Sequence, residues 1–262
     1  MKVALAQVSP KLNRNNVELH LQEIKSCDAD VIVFPELSLN GYLLQDKVYE
    51  DAFTLDELDC FVQASYNIDI VLGCALRQDH RIFNAGVYFS KGEIKHVHHK
   101  VHLPNYGMFE EARYYFKGER IEFFHTLYGN TAMVVCEDLW RAESIAELSV
   151  EKPEIIYVLA NSPVRDFKEE GLLIKEQWEA ILKTTALLCG AYVVFVNRVG
   201  FEDGIGFWGS SMIVTPSGEI EAELVGFEAQ TKGFVLNRQL HFAQKQIIKN
   251  DTSHTKYINE DK

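Results

Sequence analysis

The stretch Thr131-Ala-Met-Val-Val-Cys136-Glu137-Asp138-Leu-Trp140 constrains the fold more than any other. A Val-rich apolar run ends abruptly at a cysteine, two carboxylates follow, and a helical pattern begins. Such a run reads as a strand buried on both faces, and its end as a strand-to-helix elbow. A thiol at that elbow lies at the C-terminal edge of a sheet, close to the N–H groups of a helix N-terminus. Those groups favour a thiolate and can hold an oxyanion. Cys136 is therefore a candidate nucleophile.

Other segments repeat the pattern. Lys2 to Val8 reads as an opening strand, and Asn13 to Asn16 offers caps for a helix on which Val17, Leu21 and Ile24 share a face. Val31-Ile-Val-Phe34 is a second buried strand. Pro35 cannot donate to a ladder and ends it, so Glu36 emerges at a strand terminus, a common address for reacting groups in layered α/β folds. Thr54-Leu-Asp-Glu57 has the form of a capping box. Ile68 to Leu76 is a third strand, and Ser90-Lys91-Gly92 joins 83–89 to 93–98 as a hairpin. The region from His99 to Tyr115, rich in Pro, Gly and aromatics, reads as an ordered functional loop with Lys100 at its start.

Beyond the cysteine, a helix is expected near Ala142 to Val150 and a strand over Ile155 to Ala160, which runs into Asn161-Ser162-Pro163. Trp178, Ile181, Leu182, Thr185 and Leu188 mark a long amphipathic helix ending at Gly190. Ala191 to Val196 is another strand, Pro216-Ser217-Gly218 a second hairpin turn, and 233–236 a last strand. Hairpins interleaved with alternating helices and strands exclude a purely parallel doubly wound sheet. Two mixed sheets face to face, with helices outside, satisfy the order.

No linker-like composition interrupts the 262 residues, so residues 1–240 are expected to form one domain, with 241–262 a polar helix or tail. A formal net charge of -12 argues against a general affinity for nucleic acid or anionic membrane. The opening apolar run is brief and reaches Pro10 and Lys11 without a cleavage site, which reads against a secretory leader. Five widely spaced cysteines suit free thiols in a reducing, cytoplasmic setting.

Glu36, Lys100 and Cys136 are the three strand-end groups that stand out. Attack on an amide carbonyl needs a nucleophile, a base for its proton and a positive group for the oxyanion, and these three supply them. The surrounding sequence strengthens this reading. Val-Phe-Pro-Glu36-Leu-Ser-Leu-Asn-Gly-Tyr42, His-Lys100-Val-His-Leu-Pro and Val-Cys136-Glu-Asp resemble, in order and separation, the three motifs of the nitrilase (carbon–nitrogen hydrolase) superfamily. Ala6-Gln7, Phe83-Asn84, Gly209-Ser-Ser211 and Pro216-Ser-Gly218 match too, so the resemblance spans Lys2 to about Leu236.

That resemblance implies an α/β fold of αββα sandwich type, pairing to αββααββα in a homodimer or higher homo-oligomer. It implies that Glu36 takes the thiol proton, Cys136 attacks, and Lys100 with the Glu137 backbone N–H holds the oxyanion. No metal or organic cofactor is needed for that chemistry. A second glutamate positions the substrate in many members; Glu111 fits best, with Glu110 adjacent. The loop and elbow look most like the glutaminase domain of glutamine-dependent NAD synthetases, by which Tyr106, Phe109 and Ser162 would line a pocket for a short amide. Those domains continue into an ATP-using synthetase domain, for which no Gly-rich phosphate loop is found here. After Ser162-Pro163 only Arg165 and Lys168 offer cations for a substrate carboxylate.

The expected activity is thus hydrolysis of a small carboxamide through a cysteine thioester, releasing ammonia. The alternatives are an ammonia-donating subunit for a separate synthetase, or a nitrile or N-carbamoyl hydrolase. His96, His98, His99 and His102 lack a complementary set at metal-ligand spacing and read as partly exposed strand and loop residues. Trp178 reads as core, and Trp140 and Trp208 as candidate pocket walls.

Overall fold

A computed structural model of the chain describes residues 1–165, 167–169 and 171–237; the expected helix or tail over 241–262 lies outside them. The first half contains β1 (Lys2–Gln7), α1 (Asn16–Ser26), β2 (Val31–Val33), α2 (Val48–Asp51), α3 (Asp59–Ala64), β3 (Asp69–Gln78), β4 (Arg81–Ser90) and β5 (Glu93–His99). Next come α4 (Glu111–Tyr114), β6 (Phe123–Thr126), β7 (Gly129–Val135), α5 (Ala142–Glu151) and β8 (Ile155–Ala160). The remainder holds β9 (Phe167–Lys168), β10 (Gly171–Leu172), α6 (Leu173–Cys189) and β11 (Tyr192–Asn197). It ends with β12 (Val199–Glu202), β13 (Ile205–Trp208), β14 (Met212–Val214), β15 (Ile220–Glu223) and β16 (Gln230–Val235).

The large strands form two six-stranded sheets, ordered β16-β1-β2-β3-β4-β5 and β15-β14-β11-β8-β7-β6. Each is mixed in the same way. β1, β2 and β3 are parallel at the centre of the first, as β7, β8 and β11 are in the second, and antiparallel strands flank both trios. Successive strand residues point to opposite faces, which explains why these strands are apolar throughout. Val3 and Leu5 meet Val135, Leu159 and Val194 between the sheets. Ala4 and Ala6 pack outward with Ile24 and Phe61 of the first helical layer. Val134, Val158 and Phe195 pack outward with Leu148, Trp178 and Leu182 of α5 and α6. The result is a helix–sheet–sheet–helix sandwich.

Both expected hairpins form, with Lys91 (φ 52) and Gly92 (φ 78) supplying the left-handed turn that the first requires. Gly190 closes α6 in the left-handed conformation at φ 63. The sequence reading omits β6 and the β12–β13 hairpin. The latter had a local signal, the Asp203-Gly204 pair between two short apolar runs.

Candidate active site

Lys100 continues directly from β5, and its backbone N–H donates to Asn84 O at 2.9 Å, which extends the pairing with β4. Its ammonium group is fully buried. Nζ lies 2.7 Å from Glu36 Oε1 and 2.8 Å from Glu111 Oε1. An ammonium has three N–H donors, so two are committed to carboxylates and one is left. Burial alone would lower the Lys100 pKa, but Glu111 and Glu36 outweigh it and hold the ammonium charged, well above the ordinary range.

Glu36 follows β2 in a tight turn that places Leu37 at φ 47. The turn lies so close to β3 that a Cβ on Gly73 would come within 2.5 Å of Pro35 O and Leu37 N, so only glycine fits. Asn84 Nδ2 donates to Glu36 Oε1 at 2.7 Å, and Asn161 Nδ2, from the other sheet, to the Glu36 carbonyl at 2.7 Å. Glu36 Oε2 is buried with no hydrogen-bond partner among the described residues.

Glu111 opens α4 and is buried, whereas Glu110 is exposed. Tyr42 O–H donates to Glu111 Oε1 at 2.5 Å. Burial pushes the Glu111 carboxyl up to about 7 against the pull of Lys100. Tyr42 is itself fixed through its backbone: Glu202 Oε1 accepts the Tyr42 and Leu43 N–H groups, while Arg198 grips Glu202 Oε2 at 2.6 Å.

Cys136 directly follows β7 with φ 46, a left-handed conformation that costs a non-glycine residue energy and is kept by its surroundings. A 3-10 turn over Cys136–Trp140 follows at once. Asp138 holds this elbow. Its Oδ2 accepts from Val135 N–H at 3.0 Å and lies 2.8 Å from His98 Nε2, and its Oδ1 accepts from Val101 and His102 N–H at 2.9 and 2.8 Å. One carboxylate therefore fastens the cysteine elbow to the backbone just after Lys100 and to the His98 side chain just before it. Burial, then the charge of Glu36, pushes the Cys136 thiol well above its usual pKa, with Lys100 and the Asn161 N–H pulling the other way.

The remaining predicted residues divide. Tyr106 O–H donates to Glu137 Oε2 at 2.9 Å, and Glu137 Oε1 pairs with Arg141 at 2.6 Å. Phe109 sits edge-to-face with both Tyr42 and Tyr106, and the Arg165 guanidinium lies 5.7 Å from its ring centre. Ser162 is buried, its Oγ accepting from the indoles of Trp178 and Trp208 at 3.0 and 3.1 Å. Trp208 is core rather than an exposed wall, and Trp140 packs edge-to-face on Trp178. Lys168 is turned to Glu176. His98 departs from the partly exposed reading, because the parity of β5 turns it inward onto Asp138. His96 and His99 stack on Phe124 and Phe83.

Sequence reasoning leaves out the roles of Tyr42, Asn84, Asn161, His98 and Glu202. Each acts through a contact far along the chain, and only strand parity at His98 gave a local signal. Among the described residues no group of His, Cys, Asp and Glu is placed to hold a metal ion, and no helix is long and apolar enough to cross a membrane.

The site thus combines a cysteine held in a left-handed backbone conformation with a buried lysine that bridges two carboxylates. The carbon-nitrogen hydrolase family model matches residues 2–243, and the chain belongs to that family. It is 29% identical over 238 residues to a glutamine-dependent NAD(+) synthetase of Acinetobacter baylyi, covering 87% of this chain and 43% of the relative. The solved glutamine-dependent NAD+ synthetase of Acinetobacter baumannii superposes with a TM-score of 0.81 at 27% identity, over 92% of this chain and 46% of that one. A carbon-nitrogen hydrolase from Helicobacter pylori G27 shares the fold with a TM-score of 0.83 at 21% identity, over 97% and 95% of the two chains. The chain thus spans less than half the length of the curated relative it matches.

Proposed function

We propose that the protein hydrolyses the terminal carboxamide of a small, glutamine-like substrate through a thioester on Cys136. The observation that carries this reading is the buried Lys100 bridging Glu36 and Glu111 while Glu36 Oε2 has no partner among the described residues. Glu36 takes the thiol proton as Cys136 Sγ attacks the carbonyl carbon. The remaining N–H of Lys100 and the Glu137 backbone N–H bind the oxyanion. On collapse the C–N bond breaks and Glu36 returns the proton to the leaving nitrogen, so ammonia departs. Glu36 then deprotonates water, which attacks the thioester and releases the acid.

Glu111 positions the amide from the opposite side of Lys100. Tyr106 and Phe109 flank the substrate, with Ser162 behind them. Arg165, whose buried Nε has no partner among the described residues, meets the substrate carboxylate. No metal or cofactor enters any step. The domain is taken as residues 1–240, acting as a homodimer in a reducing, cytoplasmic setting that suits the five free cysteines.

A second reading is favoured by the relatives, which are named as glutamine-dependent NAD(+) synthetases. In it, the ammonia passes to a separate synthetase. Ammonia release from a panel of small amides, nitriles and N-carbamoyl compounds separates these readings. Release from glutamine by the isolated protein supports the first; release only after a synthetase is added supports the second. Turnover confined to nitriles or carbamoyl compounds would contradict both.

A further inference from the structure

Beside the reactive cluster, a cavity of about 550 Å³ opens between the β3–β4 turn, the α2 region and the segment after α4. That size lies within the roughly 300–1000 Å³ of small-molecule pockets. Arg77, Arg113 and Lys117 line it together with His80, and no Asp or Glu is among its described lining residues. In a chain of formal net charge -12, this is a local reversal of sign.

These cations are also uncompensated. Some surface cations elsewhere take carboxylates, as Lys2 does Asp28, Arg14 Glu57 and Arg120 Glu122, while Lys11, Lys25, Lys47 and Lys91 form no ion pair among the described residues. Those four are scattered, whereas the cavity gathers three cations. Among the described residues, Arg77, Arg113 and Lys117 form no ion pair. Arg77 donates instead to the Tyr49 carbonyl, and Arg113 lies 5.3 Å from the centre of the Tyr114 ring.

Aromatic surface meets this charge. Tyr49 and Phe116 on the cavity wall are 57% and 53% exposed, and Tyr114 stands between the cavity and a smaller one that reaches Glu111. Exposed rings next to guanidinium groups offer stacking to a planar ligand and bidentate hydrogen bonds to a phosphate. Ile82, Val101 and Leu103 also line the cavity. Cations and rings therefore line one half-open concavity instead of forming the extended stripe that an acidic polypeptide would follow.

We propose that this cavity binds a nucleoside monophosphate, with its base on the Tyr49, Tyr114 and Phe116 rings and its phosphate on Arg77, Arg113 and Lys117. The site adjoins the reactive cluster through the backbone. Tyr115 N–H donates to Glu111 O at 2.9 Å and Gly118 N–H to Lys100 O at 2.7 Å, so the segment between them is fastened at both ends. No step assigned to Cys136 uses the three cations, and the proposal does not depend on the amide chemistry.

Calorimetric titration of the full chain with AMP tests it, with adenosine, inorganic phosphate and a short poly-glutamate as separate arms. Saturable AMP binding is expected that weakens with salt, with adenosine and phosphate each at least about tenfold weaker. Combined Arg113→Glu and Lys117→Glu should weaken AMP at least about tenfold while circular dichroism and melting stay unchanged. Should that variant unfold, Arg113→Gln with Lys117→Gln provides the same comparison. Absence of saturation below about 5 mM AMP, or equal binding by the folded variant, would overturn the proposal. So would poly-glutamate binding more tightly than AMP, which would mark the cavity as a protein-docking surface.

Discussion

Lys100 is where charge, burial and chemistry meet. Without its ammonium, Glu36 and Glu111 would face each other in a buried site, and like charges there cannot both stay ionised. Lys100→Ala is therefore expected to lose turnover by ~100- to 1000-fold through the missing oxyanion contact. It should also lose on the order of 3–5 kcal/mol of stability through the unpaired carboxylates. Steady-state ammonia release and urea denaturation measure the two separately; a variant that keeps wild-type turnover would remove Lys100 from the mechanism. Glu36→Gln, by contrast, should fold normally and fail to acylate Cys136.

His20 gives a residue-scale prediction about pH. Its ring is buried between Asn16 O and Ser38 Oγ, and burial lowers its pKa from 6.5 to about 4. Between those values the unfolded chain binds more protons, so this contribution to stability is complete above pH 6.5 and lost as pH falls to about 4. Glu111 has the opposite sign: its carboxyl, raised from 4.5 to about 7, penalises the fold above pH 7 and ceases to do so on acidification. The comparison must therefore be between two chains rather than along one curve. Wild type should lose about 3 kcal/mol more than His20→Gln on going from pH 7 to 4. Parallel denaturation curves would show that His20 is not held neutral.

At the scale of elements, the Asp138 carboxylate joins the end of β7 to the segment after β5. Asp138→Ala removes the acceptor for three backbone N–H groups and the partner of His98. A stability loss of roughly 2–4 kcal/mol is expected, with turnover falling although Asp138 touches no reacting atom. Equal stability in urea would assign the elbow's geometry to other contacts. This element also shows what the sequence made legible. The strands before Glu36 and Cys136 could be read because the runs Val31–Phe34 and Met133–Val135 are apolar on both faces and stop at Pro35 and at Cys136, and the strand before Lys100 because Ser90-Lys91-Gly92 marks it as the second arm of a hairpin. The partners that orient them could not. Asn161 reaches Glu36 from another sheet, and Glu202 fixes Tyr42 from a hairpin some 160 residues away. Such contacts have no local period or spacing.

Across the whole molecule, the two sheets are fastened together at the site end. Gln7 at the end of β1 accepts from Ser211 N–H and O–H at 2.8 Å, and Asn161 after β8 donates to the Glu36 carbonyl. Two mixed sheets face to face with helices outside were legible because hairpins and helices alternate along the chain, whereas the contacts that fasten the sheets at the site end were not, since they join residues far apart in sequence. Sedimentation velocity is expected to give a mass near twice 29.9 kDa, the homodimer; a single species at 29.9 kDa would remove the proposed pairing. The most direct test of the central claim is mass spectrometry of the protein quenched during turnover of a small carboxamide such as glutamine. The account predicts an acyl group on Cys136, ammonia in step with its turnover, and neither in Cys136→Ala. Ammonia release that persists in Cys136→Ala would contradict it.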